Sequence, residues 1–225
     1  VHAHHGTIKG IMKAMAGLQS LSAMAKLAER YGERCGGPVI IAGFVVGLGI
    51  VQLASGPLAQ TSRFSLELLI LLVLQLVGPM MVALFALALL LPRWIQRLQD
   101  VGDAYRVERL AAAGLVGALL QLLFLAAAMC GGVLGTPRSD LVGEFRDLLY
   151  GVLLPDVARS CLRAGVFLAA MSGWCQWRSR RALQRGQDPG LLVSDQLAEG
   201  FLLLLSLKLL WISVIDPLHL SASPQ

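Results

Sequence analysis

Charge is what this sequence has least of, and it is missing from three long stretches. No Asp, Glu, Lys or Arg occurs in residues 38–59, 68–91 or 110–135. Each stretch is longer than the roughly 20 residues that a helix needs to cross the hydrocarbon core of a bilayer. Hydrophobic residues make up 56% of the chain, and the mean hydropathy is +0.69. These values exclude an ordinary soluble domain and predict a polytopic membrane protein.

Motifs for catalysis are also missing. The sequence contains no GxxxxGK[ST], HExxH or GxSxG pattern, and no predicted span holds a pair of carboxylates. We therefore expect no enzyme activity, no cofactor and no metal site. The four cysteines have no CxxC spacing. Packing between helices is the favoured interpretation for them, and a Cys130–Cys161 disulfide is the alternative. No apolar segment with a following cleavage site begins the chain, so we expect no cleavable signal peptide.

Positive charge predicts the topology. We expect five transmembrane helices at about 38–59, 68–91, 110–135, 156–177 and 197–215. The N-terminal segment and the second and fourth loops carry thirteen basic residues, and the other loops carry five. Because basic residues concentrate on the cytoplasmic side, the N-terminus is predicted inside and the C-terminus outside. The predicted fold is an all-α, multi-pass protein of a bacterial inner membrane. Its transmembrane domain covers 37–216, its periplasmic tail covers 217–225, and we expect no nucleic-acid partner.

The fourth span is the least apolar of the five. Arg159 and Arg163 are expected to lie near its outer end and to extend toward the headgroups. Trp174 and Trp177 are expected at the inner interface, where aromatic side chains are enriched. The alternative is a four-span protein with its C-terminus inside.

Two further segments have helical periodicity outside the predicted spans. Within residues 1–36, apolar side chains recur every three or four positions, which predicts an amphipathic helix on the cytoplasmic surface. The alternative is a helix that packs against a partner subunit. Residues 92–109 predict a short helix along the cytoplasmic face.

Glycine and proline mark two places inside the spans. Gly43 and Gly47 are four residues apart, a spacing that predicts close helix packing or dimerisation. Gly78 and Pro79 interrupt the second span, and the proline is expected to kink or break its helix.

Lys208 is the most unusual polar residue, because it lies in the middle of the last span. A lysine at that depth costs about 2.5–3.5 kcal/mol on insertion scales. It is expected to face a cavity or an acidic partner, and a lysine that extends along the lipid face is the alternative. Together with Lys208, the intramembrane residues Gln52, Gln75 and Glu67 are the candidate pocket residues. Intramembrane amides such as these and Gln121 also join helices, and Glu67 lies close to an interface.

Four segments resemble those of a known family: Gly43–Gly49, Leu74–Pro79, Val107–Leu110 and Leu205–Lys208. Together with the order of helices, they are similar to MlaE/YrbE-type permeases, the membrane subunits of Mce-associated ABC lipid transporters. The run 86–92 departs from the family pattern, so the chain resembles a divergent member.

The resemblance implies a permease subunit that moves phospholipid between the inner membrane and a periplasmic Mce-domain protein. It implies an ABC ATPase on a separate subunit and a second permease copy, in a homodimer or a heterodimer. The ATPase would contact the second loop through Arg97, Asp103, Arg106 and Glu108.

The competing hypothesis is a membrane anchor or assembly subunit that transports nothing. A small channel or ion-coupled carrier is disfavoured, because no predicted span has an evident polar stripe.

Overall fold

The structure, a computed structural model, describes residues 2–55, 76–101, 106–135, 143, 146, 154–186 and 189–215. Every element within these ranges is a helix. They are α1 His2–Ser55, α2 Gly78–Val101, α3 Arg106–Gly135, α4 Leu154–Gln184 and α5 Pro189–Leu210. A π-helical turn, Trp211–Ile215, continues directly from α5.

Four of these helices are long and apolar enough to cross a membrane. The candidate spans are Met24–Gln52, Gly78–Gln96, Val107–Gly135 and Leu192–Val214. The chain therefore has the character of a multi-pass membrane protein. The predicted fourth span, 156–177, does form a helix as part of α4. It is not among the helices that length and composition select as candidate spans.

The first helix is longer than the sequence analysis expected. It contains 54 residues and, at 1.5 Å per residue, extends about 80 Å. The helix continues through the predicted boundary at residues 36 and 37, with Pro38 inside it. The N-terminal segment and the first span therefore form one element. Side chains before Ser22 lie outside the described residues, so a location on the membrane surface stays a prediction.

The expected surface helix at 92–109 is wrong as a separate element. Residues up to Val101 extend α2, and α3 begins at Arg106. Trp94 and Ile95 are buried in the core, and the ring of Trp94 meets that of Tyr31 edge-on at 6.4 Å. The physical reason is that these side chains continue the buried face of α2, so the helix does not turn onto the surface.

Proline is placed at the start of the second helix. Residues 76 and 77 are π-helical and lead directly into α2 at Gly78, so Pro79 lies where the helix changes from π to α geometry. Residues 56–75 lie outside the described residues, so the expected kink inside the segment 68–91 stays a prediction.

Contacts between neighbouring helices fix their directions. Gly117 packs on Gly165, and Gln121 bonds to Ser160, so α3 and α4 are antiparallel. Ser179 bonds to Gln196 near one end of α4, and Arg163 stacks on Trp211 near the other, so α4 and α5 are antiparallel.

We name the two ends of the bundle by the residues at which helices end and begin there. The 101/106 end holds the end of α2 and the start of α3, and the 135/154 end holds the end of α3 and the start of α4.

Glycines bring α1 against α3. A Cβ on Gly43 would lie 2.6 Å from the carbonyl oxygen of Phe124, and a Cβ on Gly47 would overlap the backbone of Ala128. On α3, Gly131 approaches the backbone of Phe44 in the same way. The close helix packing expected from Gly43 and Gly47 is confirmed, here between two helices of one chain.

The fourth helix packs against α2, α3 and α5 and so lies centrally in the bundle. All four cysteines are free thiols, so the alternative of a Cys130–Cys161 disulfide is wrong. Cys35 and Cys175 are buried and fill space between helices, as expected of small apolar side chains.

Candidate functional site

The buried face of α4 carries polar side chains among its apolar ones. Five of its twelve buried residues are polar: Ser160, Arg163, Ser172, Gln176 and Ser179. Between positions 162 and 174, by contrast, its exposed residues are Leu162, Val166 and Trp174. In this stretch the helix therefore exposes apolar side chains and places polar ones inside the bundle. The expectation that no predicted span has a polar stripe is wrong. The missed signal was helical spacing within two groups of polar positions: 160 and 163 are three residues apart, and 172, 176 and 179 are four and three residues apart.

A chain of polar side chains crosses three helices in the half of the bundle near the 135/154 end. On α3, Gln121 Nε2 donates to Ser160 Oγ at 3.0 Å. One turn further along α4, the guanidinium carbon of Arg163 lies 5.2 Å from the centre of the Trp211 ring. Lys208 is three residues before Trp211, which places it on the same side of α5. We call these five residues the polar row.

Basic charge is buried in this row. Lys208 is 5% exposed and Arg163 is 7% exposed. Every charged side chain that the structure describes as buried is basic, and the third is Arg109 at the start of α3. Arg163 was expected to extend to the headgroups, but it points inward because positions 160, 163 and 167 share the buried face of α4. Arg159, one turn closer to the start of α4, is exposed and lies 3.7 Å from Asp156.

Trp211 closes one side of the polar row. Its ring meets Phe167 edge-on, with 6.0 Å between centroids. The residue starts the π-helical turn, and such turns often occur at functional sites. Within the turn, Ser213 Oγ donates to the carbonyl oxygens of Leu209 at 2.8 Å and Leu210 at 3.2 Å. Hydroxyl bonds of this kind bend helices, so α5 changes its geometry where Trp211 covers Arg163.

The half of α4 toward the 101/106 end also makes polar contacts. Gln176 Nε2 donates to Ser172 Oγ at 2.9 Å. Ser179 Oγ lies 2.8 Å from Nε2 and 3.0 Å from Oε1 of Gln196 on α5. These buried amide and hydroxyl groups satisfy each other and join α4 to α5.

Exposed groups surround the same end of α4. Arg178 forms two bonds to the carboxylate of Glu199, at 2.9 and 3.2 Å. The rings of Trp174 and Trp177 lie 5.2 Å apart, and Arg181 stacks 4.1 Å from the centre of Trp177. Exposed indoles beside arginines are the composition expected at a membrane interface.

The structure describes two of the four candidate pocket residues. Lys208 joins the polar row, whereas Gln52 is exposed on α1 and outside that row. Glu67 and Gln75 lie outside the described residues. Sequence reasoning did not select Ser160, Arg163 or Trp211, and it treated Gln121 only as a contact between helices.

The candidate coupling residues that the structure describes lie at the 101/106 end of the bundle. Arg97 belongs to the last part of α2, and Arg106 is the first residue of α3. Glu108 is half-buried in the first turn of α3, and Asp103 lies outside the described residues. The backbone therefore places Arg97, Arg106 and Glu108 at the 101/106 end.

An apolar groove of about 550 Å³ lies between parts of α1 and α3. It is lined by Ala25, Ala28 and Gly32 on α1, with Glu29 as its charged member, and by Leu115, Val116, Leu119, Leu120, Leu122 and Leu123 on α3. This lining is suited to dispersion contacts with a hydrocarbon chain and not to catalysis.

No group of three or more His, Cys, Asp or Glu side chains that could hold a metal occurs in the part of the chain that the structure describes. Neither a protein-family model nor a curated protein matches this sequence.

Proposed function

We propose that this chain is the membrane permease subunit of an ABC-type transporter and crosses the inner membrane five times. The observation that carries this proposal is the arrangement of α4, which buries polar side chains in the bundle and exposes only Leu162, Val166 and Trp174 between positions 162 and 174, as suits a helix in a bilayer. From Ser160 to Ser179, α4 runs antiparallel to two candidate spans for about 28 Å, close to the hydrocarbon thickness. The buried polar residues of this stretch, Ser160, Arg163, Ser172, Gln176 and Ser179, lie inside the bundle.

The proposed orientation places the 101/106 end in the cytoplasm. Basic residues of four helices meet there, at positions 26–34, 93–97, 106–109 and 178–185. The positive-inside tendency then supports an N-terminus inside and a C-terminus outside. The proposed location is the inner membrane of a bacterium.

The proposed substrate is phospholipid. Polar and ionisable residues inside a membrane mark substrate paths, and the buried face of α4 supplies a row of them. The groove between α1 and α3 can take a hydrocarbon chain. In this proposal, lipid moves between the inner membrane and a periplasmic Mce-domain protein beside the 135/154 end. ATP hydrolysis belongs to a separate subunit near Arg97, Arg106 and Glu108, and a second permease copy completes the complex.

Co-purification tests the proposal. The full chain is isolated from its native membranes in mild detergent, and its companions are identified by mass spectrometry. We expect an ATP-hydrolysing subunit, an Mce-domain protein and phospholipid. Recovery of other membrane subunits without an ATPase would reject the proposal in favour of the anchor hypothesis.

A substitution separates transport from assembly. Lys208→Ala is expected to leave the complex assembled and to stop lipid movement. Ser206→Ala is the matched control, because Ser206 is exposed and lies two residues away on the same helix. Loss of assembly in Lys208→Ala, with Ser206→Ala normal, would contradict a role in transport.

A further inference from the structure

The polar row contains buried polar atoms that accept or donate no hydrogen bond within the described ranges. The Oε1 acceptor of Gln121 and the Nε1 donor of Trp211 are such atoms. Gln121 is 1% exposed, and its Nε2 is already bonded to Ser160. A buried acceptor without a donor costs about 1–3 kcal/mol, more than most structures tolerate without a reason. The side-chain oxygen of Gln121 therefore marks a place where a ligand with a hydrogen-bond donor would be stabilised.

The rest of the row indicates the charge of that ligand. Arg163 and Lys208 are cationic. Ser160 bonds to Gln121, and Arg163 lies one turn after Ser160 on α4. Ser160, Arg163 and Lys208 also make further contacts, so the row is held in place by its surroundings. A guanidinium in a low-dielectric site favours phosphate and carboxylate oxygens, because charge-assisted bonds are about twice as strong as neutral ones.

We propose that the polar row is a binding site for a phosphate group linked to a hydrogen-bond donor, and that Trp211 closes this site. The phosphate oxygens face Arg163 and Lys208, and the donor bonds to Gln121 Oε1. Phosphatidylethanolamine and phosphatidylglycerol carry such donors, an ammonium and hydroxyls, whereas phosphatidylcholine carries none. This inference rests on the proposed function in placing the row inside a membrane and in taking phospholipid as the source of the phosphate.

Trp211 is suited to open. It covers Arg163 through ring contacts, and Phe167 supports its other side. Its N–H makes no hydrogen bond to any part of the chain that the structure describes, so no polar contact of the indole holds the ring in place. The residue belongs to the π-helical turn, whose hydrogen bonds differ from those of the preceding helix. A change in this turn would expose Arg163 and Gln121 together.

The test measures lipid binding by the purified full chain in nanodiscs that contain equal amounts of phosphatidylethanolamine, phosphatidylglycerol and phosphatidylcholine. Native mass spectrometry identifies the lipids that remain bound after release. We expect the two donor-bearing lipids to exceed phosphatidylcholine about fivefold, the factor that one net hydrogen bond supplies. Equal retention of all three lipids by the unaltered chain would overturn the proposal.

Three substitutions locate the effect. Gln121→Leu should make the retention of the three lipids equal without reducing total retention. It removes the acceptor and puts an apolar side chain of similar size in its place. Arg163→Gln should reduce retention of every phospholipid at least tenfold. Arg159→Gln is the matched control, since Arg159 is an exposed arginine one turn away. A loss as large in Arg159→Gln as in Arg163→Gln would overturn the assignment. If Arg163→Gln does not fold, the lipid preference measured for Gln121→Leu still tests the proposed site.

Closure by Trp211 has its own measurement. Trp211→Ala should speed the exchange of bound lipid for deuterated lipid by about two- to tenfold, the range that ring contacts supply. Trp174→Ala, at an exposed indole of α4, should leave the rate unchanged. An unchanged rate in Trp211→Ala would reject the closing role.

Inorganic phosphate distinguishes the source of the ligand. We expect millimolar phosphate to leave the bound lipids in place, and displacement would overturn the lipid assignment in favour of free phosphate. These measurements use the chain without an ATPase. Lipid preference without transport by the assembled complex would therefore reject the proposed function alone, and transport without lipid preference would reject the site alone.

Discussion

The contact between α1 and α3 gives the sharpest stability prediction. A Cβ added to Gly47 would overlap the backbone of Ala128, which cannot rotate away as a side chain can. Gly49, two residues further on the same helix, has no atom within 4 Å of the equivalent position. Gly47→Ala and Gly49→Ala are therefore the same chemical change on one helix, with and without a collision.

The magnitude follows from two opposing terms. Overpacking a tight contact costs typically 1–3 kcal/mol, and a backbone collision belongs in the upper half of that range. Alanine recovers about 1 kcal/mol over glycine in helix propensity. Gly47→Ala should therefore lose about 1–2 kcal/mol. For a chain of this size each kcal/mol corresponds to about 2–4 °C, so the Tm should fall by about 2–8 °C. Gly49→Ala should keep or raise the Tm.

The assay is thermal unfolding in mild detergent, followed by intrinsic fluorescence. Gly131→Ala adds a second test, because Gly131 meets the backbone of Phe44 at the same crossing. Once either substitution has separated the two helices, the other should cost less, so the double variant should lose less than the sum of the singles. A folded Gly47→Ala variant with an unchanged Tm would refute the close approach of α1 and α3.

The remaining predictions concern α4 and the cysteines. Ser179→Ala should destabilise the chain by about 1 kcal/mol, since it leaves the buried amide of Gln196 without its partner. Adding Gln196→Leu should recover part of this loss in a double-mutant cycle, and additive losses would contradict the pairing. Arg178→Gln should change stability by less than about 1 kcal/mol, because its pair with Glu199 is exposed, and a larger loss would contradict that exposure. In folded protein a maleimide should modify Cys130 and spare Cys35 and Cys175, and early modification of Cys175 would contradict the buried α4 core.

Much of the helical framework was available from the sequence. The charge-free segment 110–135 lies almost entirely within α3, and the last predicted span overlaps α5 and its π-helical turn. Long apolar runs identify such helices because a bilayer requires both length and apolar composition. The spacing of Gly43 and Gly47 also indicated a close contact, although the partner helix could not be named from spacing alone.

Other features depended on which way side chains face. Residues 92–101 were expected on a surface, yet Trp94 and Ile95 extend the buried face of α2. Arg159 and Arg163 look alike in the sequence and lie only about 40° apart around α4. Arg159, close to the start of the helix, is exposed, whereas Arg163, one turn further on, is buried in the bundle. The polar row also joins residues from three helices that are far apart in the chain, so only the packing of α3, α4 and α5 brings them together.

The central claim is that α4 crosses the membrane as the fourth of five spans. Single cysteines at positions 139 and 185, on either side of α4, test it in a chain whose native cysteines have been replaced. An impermeant maleimide is applied to each face of sealed membrane vesicles in turn. We predict that Ser139→Cys reacts only from the periplasmic face and Arg185→Cys only from the cytoplasmic face. Reaction of both positions from one face would contradict the crossing of α4 and the proposals built on it.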